Sequence, residues 1–136
     1  MTWYFHNTSQ EFKEEDIQDN IGFVYIITHI STGRKYIGKK LFTKAKTHQV
    51  KGKKKKSRVA SDWLKYWGSN KELQEEVKLN GEDSYTREVL HLCKKRAELS
   101  YWETWEIFNR HALMNESYYN AWVSCRIRKD HLIKSQ

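Results

Sequence analysis

Two tyrosines, Tyr25 and Tyr36, stand with ten residues between them, and a run of cations begins beside the second. From Arg34 to Arg58 there are twelve Lys or Arg residues and no Asp or Glu. The first twenty residues carry five acids against Lys13, and residues 59–136 carry twelve charges of each sign, so the net charge of +8 is concentrated in one segment. A localised positive field of this kind is how a phosphate-binding surface reads, while a solvated lysine-rich loop without a partner is the plain alternative. A tyrosine ionises near pH ~10, so either phenol can act as a base only where a metal or a neighbouring cation favours the phenolate. Lysines near the pair can supply that cation. His6, His29, His48, His91, His111 and His131 show no HxxxH spacing, and Cys93 and Cys125 have no CxxC partner, which argues against zinc. Both cysteines are expected reduced and buried or half-buried.

The elements that must position these residues follow from the apolar pattern. At 136 residues, with 38% hydrophobic and 31% charged side chains, a mean hydropathy of −0.90 and six Trp, eight Tyr and five Phe, the chain suits one folded, polar domain. Residues 1–20 read as an N-terminal arm packing through Trp3, Tyr4 and Phe5, and residues 21–136 as a single domain. Ile21 to Thr28 is a β-branched and aromatic run, the pattern of a strand buried on both faces. With the turn at His29 to Arg34 and a second short run at Lys35 to Gly38, it predicts a β-hairpin. The following lysine-rich insertion, at about residues 39–58, reads as a solvent-exposed excursion of weak order. Ser61-Asp62 predicts a helix start and Gly68-Ser69-Asn70 a break, with a second helix from Lys71 to Asn80-Gly81. Ser84 to Cys93 predicts a third strand with Tyr85, Val89 and Leu90 or Leu92 facing the core. Lys94 to Leu113 predicts an amphipathic helix with Leu99, Trp102, Glu103, Glu106, Ile107 and Arg110 on its spacing. Trp102 and Trp105 read as core. The order ββααβα implies an α+β fold, a small antiparallel or mixed three-stranded sheet flanked by helices.

Val24-Tyr25-Ile26 and Tyr36-Ile37-Gly38, on a hairpin at this separation, resemble the paired motifs of the GIY-YIG nuclease superfamily. The first motif reads Gly-Phe-Val-Tyr. Gly81 to Tyr85 resembles the family's entry to its third strand, Glu103 the glutamate of its metal-binding helix, and Tyr118-Tyr119-Asn120 its closing Tyr-Asn, so the resemblance runs from Gly22 to Asn120. It implies hydrolysis of DNA phosphodiesters with one divalent ion, Mg2+ or Mn2+, held by Glu103, with Tyr25 and Tyr36 catalytic. A single carboxylate suits Mg2+, which keeps several waters. Glu98 and Glu106 are rival ligands on the same helix. The resemblance also implies an arginine on the first helix; the residue ten after Tyr36 is Lys46, and Arg58, then Lys40, are the substitutes. Lys39, Lys44, Lys46, Lys51, Lys53, Lys54, Lys55, Lys56 and Asn120 are the expected nucleic-acid contacts, Asn120 being alternatively a turn former.

The partner implied is DNA, most readily double-stranded, with no small-molecule cofactor and with a homodimer as one way to cut both strands. Small stand-alone chains of this family are common in phages. Two other functions compete: a catalytically inactive nucleic-acid-binding module of the same fold, and a basic RNA-associated protein whose tail aromatics stack on bases. No run approaches the about 20 apolar residues that cross a bilayer. Residues 1–16 lack the basic start and apolar run of a secretory signal, so a cytoplasmic location is expected.

Overall fold

The computed structural model describes residues 2–133, so Met1 of the expected arm and the last three residues of the expected domain lie outside the described residues. In chain order the elements are β1 (Trp3–Phe5), β2 (Glu11–Phe12), β3 (Gly22–His29), β4 (Lys35–Leu41), β5 (Thr43–Val50), β6 (Lys53–Ala60), α1 (Lys71–Asn80), β7 (Tyr85–Cys93), α2 (Arg96–Asn109) and α3 (Lys129–Leu132). Five strands form one mixed sheet in the order β2-β1-β7-β3-β4, and β5 and β6 form a separate two-stranded ribbon. The α+β class is as the sequence led us to expect, and the three expected strands are β7, β3 and β4, to which β1 and β2 add two more. Among the described residues no helix is long and apolar enough to cross a membrane.

The N-terminal segment is more than an arm. Trp3–Phe5 runs parallel to β7, with Tyr4 opposite Glu88 and Phe5 opposite Val89. Trp3 is 1% exposed, and its indole Nε1 donates to the Trp63 carbonyl at 2.9 Å. A buried indole needs both apolar walls and an acceptor, and these two distant segments supply them.

Strand β3 is buried on both faces from Gly22 to Ile27, as its unbroken apolar run dictates. Its alternate residues feed two different cores. One face is aromatic: Trp3, Phe12, Phe23, Tyr25, Phe42, Trp63 and Tyr85 pack with Leu73 and Val77 of α1. The other is aliphatic: Val24, Ile26, Ile37 and Cys93 pack under Leu99 and Ile107 of α2. A bulge opposite Val24 and Tyr25 shifts the β3–β7 register, so that Val24 faces His91 while Tyr25 faces Val89. Leu90 and His91 therefore both turn toward α2, and Leu92 returns to the aromatic side. Burial pushes the Cys93 thiol up to about 12, leaving it inert. Cys125, expected at least half-buried, is exposed.

Two other expectations need correction. The helix expected from Ser61 is only a single 3-10 turn at Trp63–Lys65. The Ser61 hydroxyl donates to the Leu41 carbonyl at 2.7 Å and accepts from the Trp63 amide at 3.3 Å, while Asp62, at the start of the turn, is taken by Lys40 at 2.7 Å and makes no cap. The expected start at Lys71 is correct, with the Asn70 side chain accepting from the Leu73 amide at 2.9 Å. The lysine-rich excursion is a regular antiparallel ribbon from Thr43 to Ala60, and Lys39 and Lys40 belong to β4 of the central sheet.

Candidate active site

Strand β4 is an edge of the sheet. Beside it runs a cleft of about 650 Å3, walled by Tyr66 to Lys71 on one side and by Glu103 and Ile107 of α2 on the other, and closed by residues 120–124. The strand's alternation distributes its side chains between these walls. Tyr36 joins the aromatic face and Ile37 the aliphatic one. Lys39, two residues from Ile37, reaches α2, where its Nζ donates to Ser100 Oγ at 2.9 Å and lies 3.9 Å from Glu103 Oε1.

The second motif's glycine has a steric reason. Gly38 sits opposite Tyr25 in the β3–β4 register, and a Cβ there would overlap the Tyr25 hydroxyl. Gly38 thus lets the Tyr25 ring cross beneath the edge strand toward the cleft. Tyr25 is fully buried, and its hydroxyl has no hydrogen-bond partner among the described residues. Its phenol is raised well above the ordinary tyrosine range, first by burial and then by the neighbouring Tyr66 and Tyr36. The Tyr36 hydroxyl is hydrogen-bonded to Ser69 Oγ at 2.8 Å, and burial raises its phenol too. Gly68, at φ +84°, turns the chain beneath the Tyr36 ring, which stands 3.2 Å from where a side chain there would begin. Both motif tyrosines are therefore neutral hydrogen-bonding groups at neutral pH.

Of the three glutamates on α2, one faces the cleft. Glu98 accepts from the backbone amides of Lys94 and Lys95 at the helix start, and Glu106 is held by His91 at 3.0 Å and Arg110 at 3.1 Å. Glu103 is left, the only carboxylate among the described residues lining the cleft. Burial raises its carboxyl above the ordinary range, and Lys39 holds back part of that rise. No group of three His, Cys, Asp or Glu among the described residues comes together to enclose a metal ion. Glu103 is the one acid there that could hold one.

The expected cations divide differently from the sequence reading. Arg58, at the ribbon's root, donates through Nε and a terminal nitrogen to Thr43 Oγ1 and the Thr43 carbonyl at 2.9 and 2.8 Å. Lys40 pairs with Asp62 and lies 4.1 Å over the Tyr66 ring. Both line a neighbouring cavity of about 600 Å3, with Lys44 and Arg96, and neither lines the cleft. The cation beside Glu103 is Lys39, with Lys71 on the opposite wall. The parity of β4 was the available signal, since Lys39 is in phase with Ile37 and Lys40 with Tyr36. Lys46, Lys51, Lys53, Lys54, Lys55 and Lys56 lie on the ribbon and away from the cleft.

Asn120 lines the cleft, but its amide is engaged. Its Oδ1 accepts from the Ile37 amide at 3.0 Å and its Nδ2 donates to the Ile37 carbonyl at 2.8 Å. It braces the second motif, with both ends of its amide committed there. Two residues that sequence reasoning missed support the other wall. Tyr66 lines the cleft, and Arg87, 1% exposed, donates to the Tyr66 carbonyl at 2.8 Å and the Leu64 carbonyl at 3.0 Å. The Arg87 guanidinium lies between the Trp3 and Trp67 rings, 4.6 and 4.4 Å from their centroids. Burial lowers it to about 10, still protonated at neutral pH. Its position two residues after Tyr85 and two before Val89 puts it in the core-facing phase of β7, which is the signal it left.

Tyr36, Tyr66, Lys39 and Glu103 thus line one edge-strand cleft, with Tyr25 buried behind it and the Asn120 clamp closing it. No curated protein and no solved structure matches the chain. A family model described as "Putative endonuclease segE, GIY-YIG domain" matches residues 3–123. A match of that extent, on a mixed sheet that carries both motif tyrosines, makes this chain a member of the GIY-YIG family of nuclease domains.

Proposed function

We propose that the protein is a divalent-metal-dependent DNA endonuclease that hydrolyses phosphodiester bonds in the cleft beside β4. The observation that carries this is the meeting of Glu103, Lys39 and the Tyr36 hydroxyl in one cleft, with the unpartnered Tyr25 hydroxyl buried behind it. A lone carboxylate in a polar cleft fits Mg2+ or Mn2+, because such an ion keeps most of its own waters and asks few ligands of the protein. An orphaned buried hydroxyl fits as well, since it has a donor to give to a water or phosphate oxygen.

Hydrolysis forms a bond from a water oxygen to phosphorus and breaks the ester bond to the leaving oxygen, with negative charge building on the phosphoryl oxygens. When bound at Glu103, the divalent ion supplies positive charge against that build-up and favours ionisation of nearby hydroxyls. As the neutral phenol, Tyr36, steadied by Ser69, orients the attacking water, and only as the phenolate does it take that water's proton. Lys39 and Lys71 flank the phosphate as point charges, and Tyr25 donates from below. A scaffold fixed by Gly38, Asn120 and Arg87 holds these groups before substrate arrives, which is the condition for electrostatic stabilisation of the transition state.

The test is incubation of supercoiled plasmid with the protein, in Mg2+ or Mn2+ against EDTA, beside Glu103→Ala, Tyr36→Phe and Tyr25→Phe. Metal-dependent nicking, abolished in Glu103→Ala and reduced at least about 100-fold in each tyrosine variant, is the expected result. Full cleavage by Glu103→Ala would remove the assigned ligand. The second reading, an inactive nucleic-acid-binding module, is favoured by one observation: no arginine is among the described residues lining the cleft. Lysine supplies charge there without the bidentate fork that holds a phosphate in register. Binding without scission in every metal tested would select it.

A further inference from the structure

The ribbon β5–β6 has a construction that its role as a store of positive charge does not explain. Its register places Lys44 opposite Val59, Lys46 opposite Ser57, Thr47 opposite Lys56, His48 opposite Lys55 and Gln49 opposite Lys54. No lysine faces another lysine across the ladder, so like charges, which destabilise when directly opposed, are interleaved with neutral partners. Because successive residues of a strand point to opposite faces, Lys53 and Lys55 project from one face and Lys54, Lys56 and Arg58 from the other. A ribbon lying on a protein surface has one apolar face; this one is cationic on both, and residues 44–49 and 51–56 are all exposed. Two cationic faces are complementary to a space with an anionic wall on each side.

We propose that the ribbon enters the major groove of duplex DNA, with β6 facing the phosphate walls and Thr47, His48 and Gln49 of β5 presented to base edges. This rests on the nucleic-acid reading of the domain and adds where the duplex lies and what reads it. Set on edge with β5 innermost, a ribbon with side chains on both faces is about 10 Å thick, which fills a groove about 12 Å wide and is too broad for the B-form minor groove at about 6 Å. The major groove of A-form RNA is too deep and narrow to admit side chains, so the occupant is DNA. Eight residues per strand reach about 26 Å from the root. Lysine and arginine dominate β6, whereas the distal part of β5 carries amide, imidazole and hydroxyl groups, the types that form hydrogen bonds with bases. At the root, Arg58, Lys44 and Lys40 line a cavity that shares Lys39 with the cleft, so a backbone leaving the groove passes along cations to Glu103.

The experiment is done in EDTA with the full chain, so that it reads binding and does not depend on cleavage. A 30-base-pair mixed-sequence DNA duplex and the matching RNA duplex are titrated across salt concentrations, and dimethyl sulfate maps guanine N7 in the major groove and adenine N3 in the minor. The expected result is at least about tenfold preference for DNA, with N7 protected and N3 reactive. The Lys53/Lys54/Lys55/Lys56→Ala variant should lose N7 protection and flatten the slope of log K against log salt by up to about 3.6, about 0.9 for each phosphate no longer neutralised. Lys54→Gln with Lys56→Gln carries half that change should the larger variant melt early. Thr47/His48/Gln49→Ala should keep the slope while flattening the preferences seen when a randomised duplex pool is selected for binding. Equal affinity for the RNA duplex, N3 protection in place of N7, or an unchanged slope in both lysine variants would each overturn the assignment. A chain that binds in this way yet never cuts would leave the ribbon's role standing and defeat only the nuclease reading.

Discussion

Strand β3 and strand β6 are each eight residues long and follow opposite rules. Six of the eight β3 residues are buried, and the five side chains among them pack in one or other of the two cores. In β6, Lys53 to Lys56 are all exposed, and among the described residues the strand's only ladder partner is β5. The sheet is therefore specified by what it excludes, water, while the ribbon is specified by backbone pairing and by a register that keeps like charges apart. The difference teaches where function and stability are separable. Substitutions in the sheet are expected to change stability together with the site, and substitutions in the ribbon to leave stability nearly unchanged.

The strongest test of that division is Arg87→Ala. It leaves two carbonyls without their charged donor and opens a space between Trp3 and Trp67, so a loss of about 3–5 kcal/mol in urea unfolding is expected, with cleavage falling in step as Tyr66 is released. A loss under about 1 kcal/mol would mean that the wall at Tyr66 is held by something else.

A smaller effect, of opposite sign, is expected at Glu103. Its carboxyl is raised by burial in the folded state, so the native protein binds its proton more tightly than the unfolded chain does. Stability from this group is then present at low pH and declines as pH rises through the ordinary carboxylate range and the raised folded value. Glu103→Gln should accordingly be slightly more stable than the parent at neutral pH and should lose that advantage in acid, read as melting temperature against pH without metal. Adding Mg2+ should raise the parent's melting temperature and leave the variant's unchanged.

The smallest effect is expected in the ribbon. Lys46→Ala or Lys56→Ala should shift unfolding by no more than about 0.5 kcal/mol, because neither side chain is buried. A larger loss in either would show that the ribbon packs on the body and would erase the comparison.

Much of the central architecture was legible in the sequence for the same reason that it is stable. The β3 run, the Asn70 cap and the alternation of β7 are local patterns that burial imposes on residues within one element. The parts that escaped depend on distant partners. Trp3–Phe5 is three residues long, and what makes it a strand is β7, more than eighty positions away. The ribbon has no apolar period to announce it, and its order comes from hydrogen-bonded pairing alone. The helix expected at Ser61 is a single turn, with the Asp62 carboxylate drawn to Lys40 on β4 instead of capping it. At the site, the motifs named Tyr36 and Glu103, which the structure brings to one cleft with Lys39, whereas Lys40 and Arg58, the substitutes for the family's arginine, line the neighbouring cavity, a division that charge counted without strand parity does not reveal.

The Asn120 clamp has a consequence beyond bracing a motif. An edge strand with free amides and carbonyls is a template on which a foreign strand can add, the first step toward aggregation. On β4, the Lys35 amide and carbonyl are taken by the Ser117 carbonyl and the Tyr119 amide, and those of Ile37 by the Asn120 side chain. A four-residue stretch thus mimics a partner strand just long enough to occupy two positions and too short to propagate a third. The sheet's β4 edge is thereby plugged against self-association while the neighbouring position, Lys39, stays exposed beside Glu103.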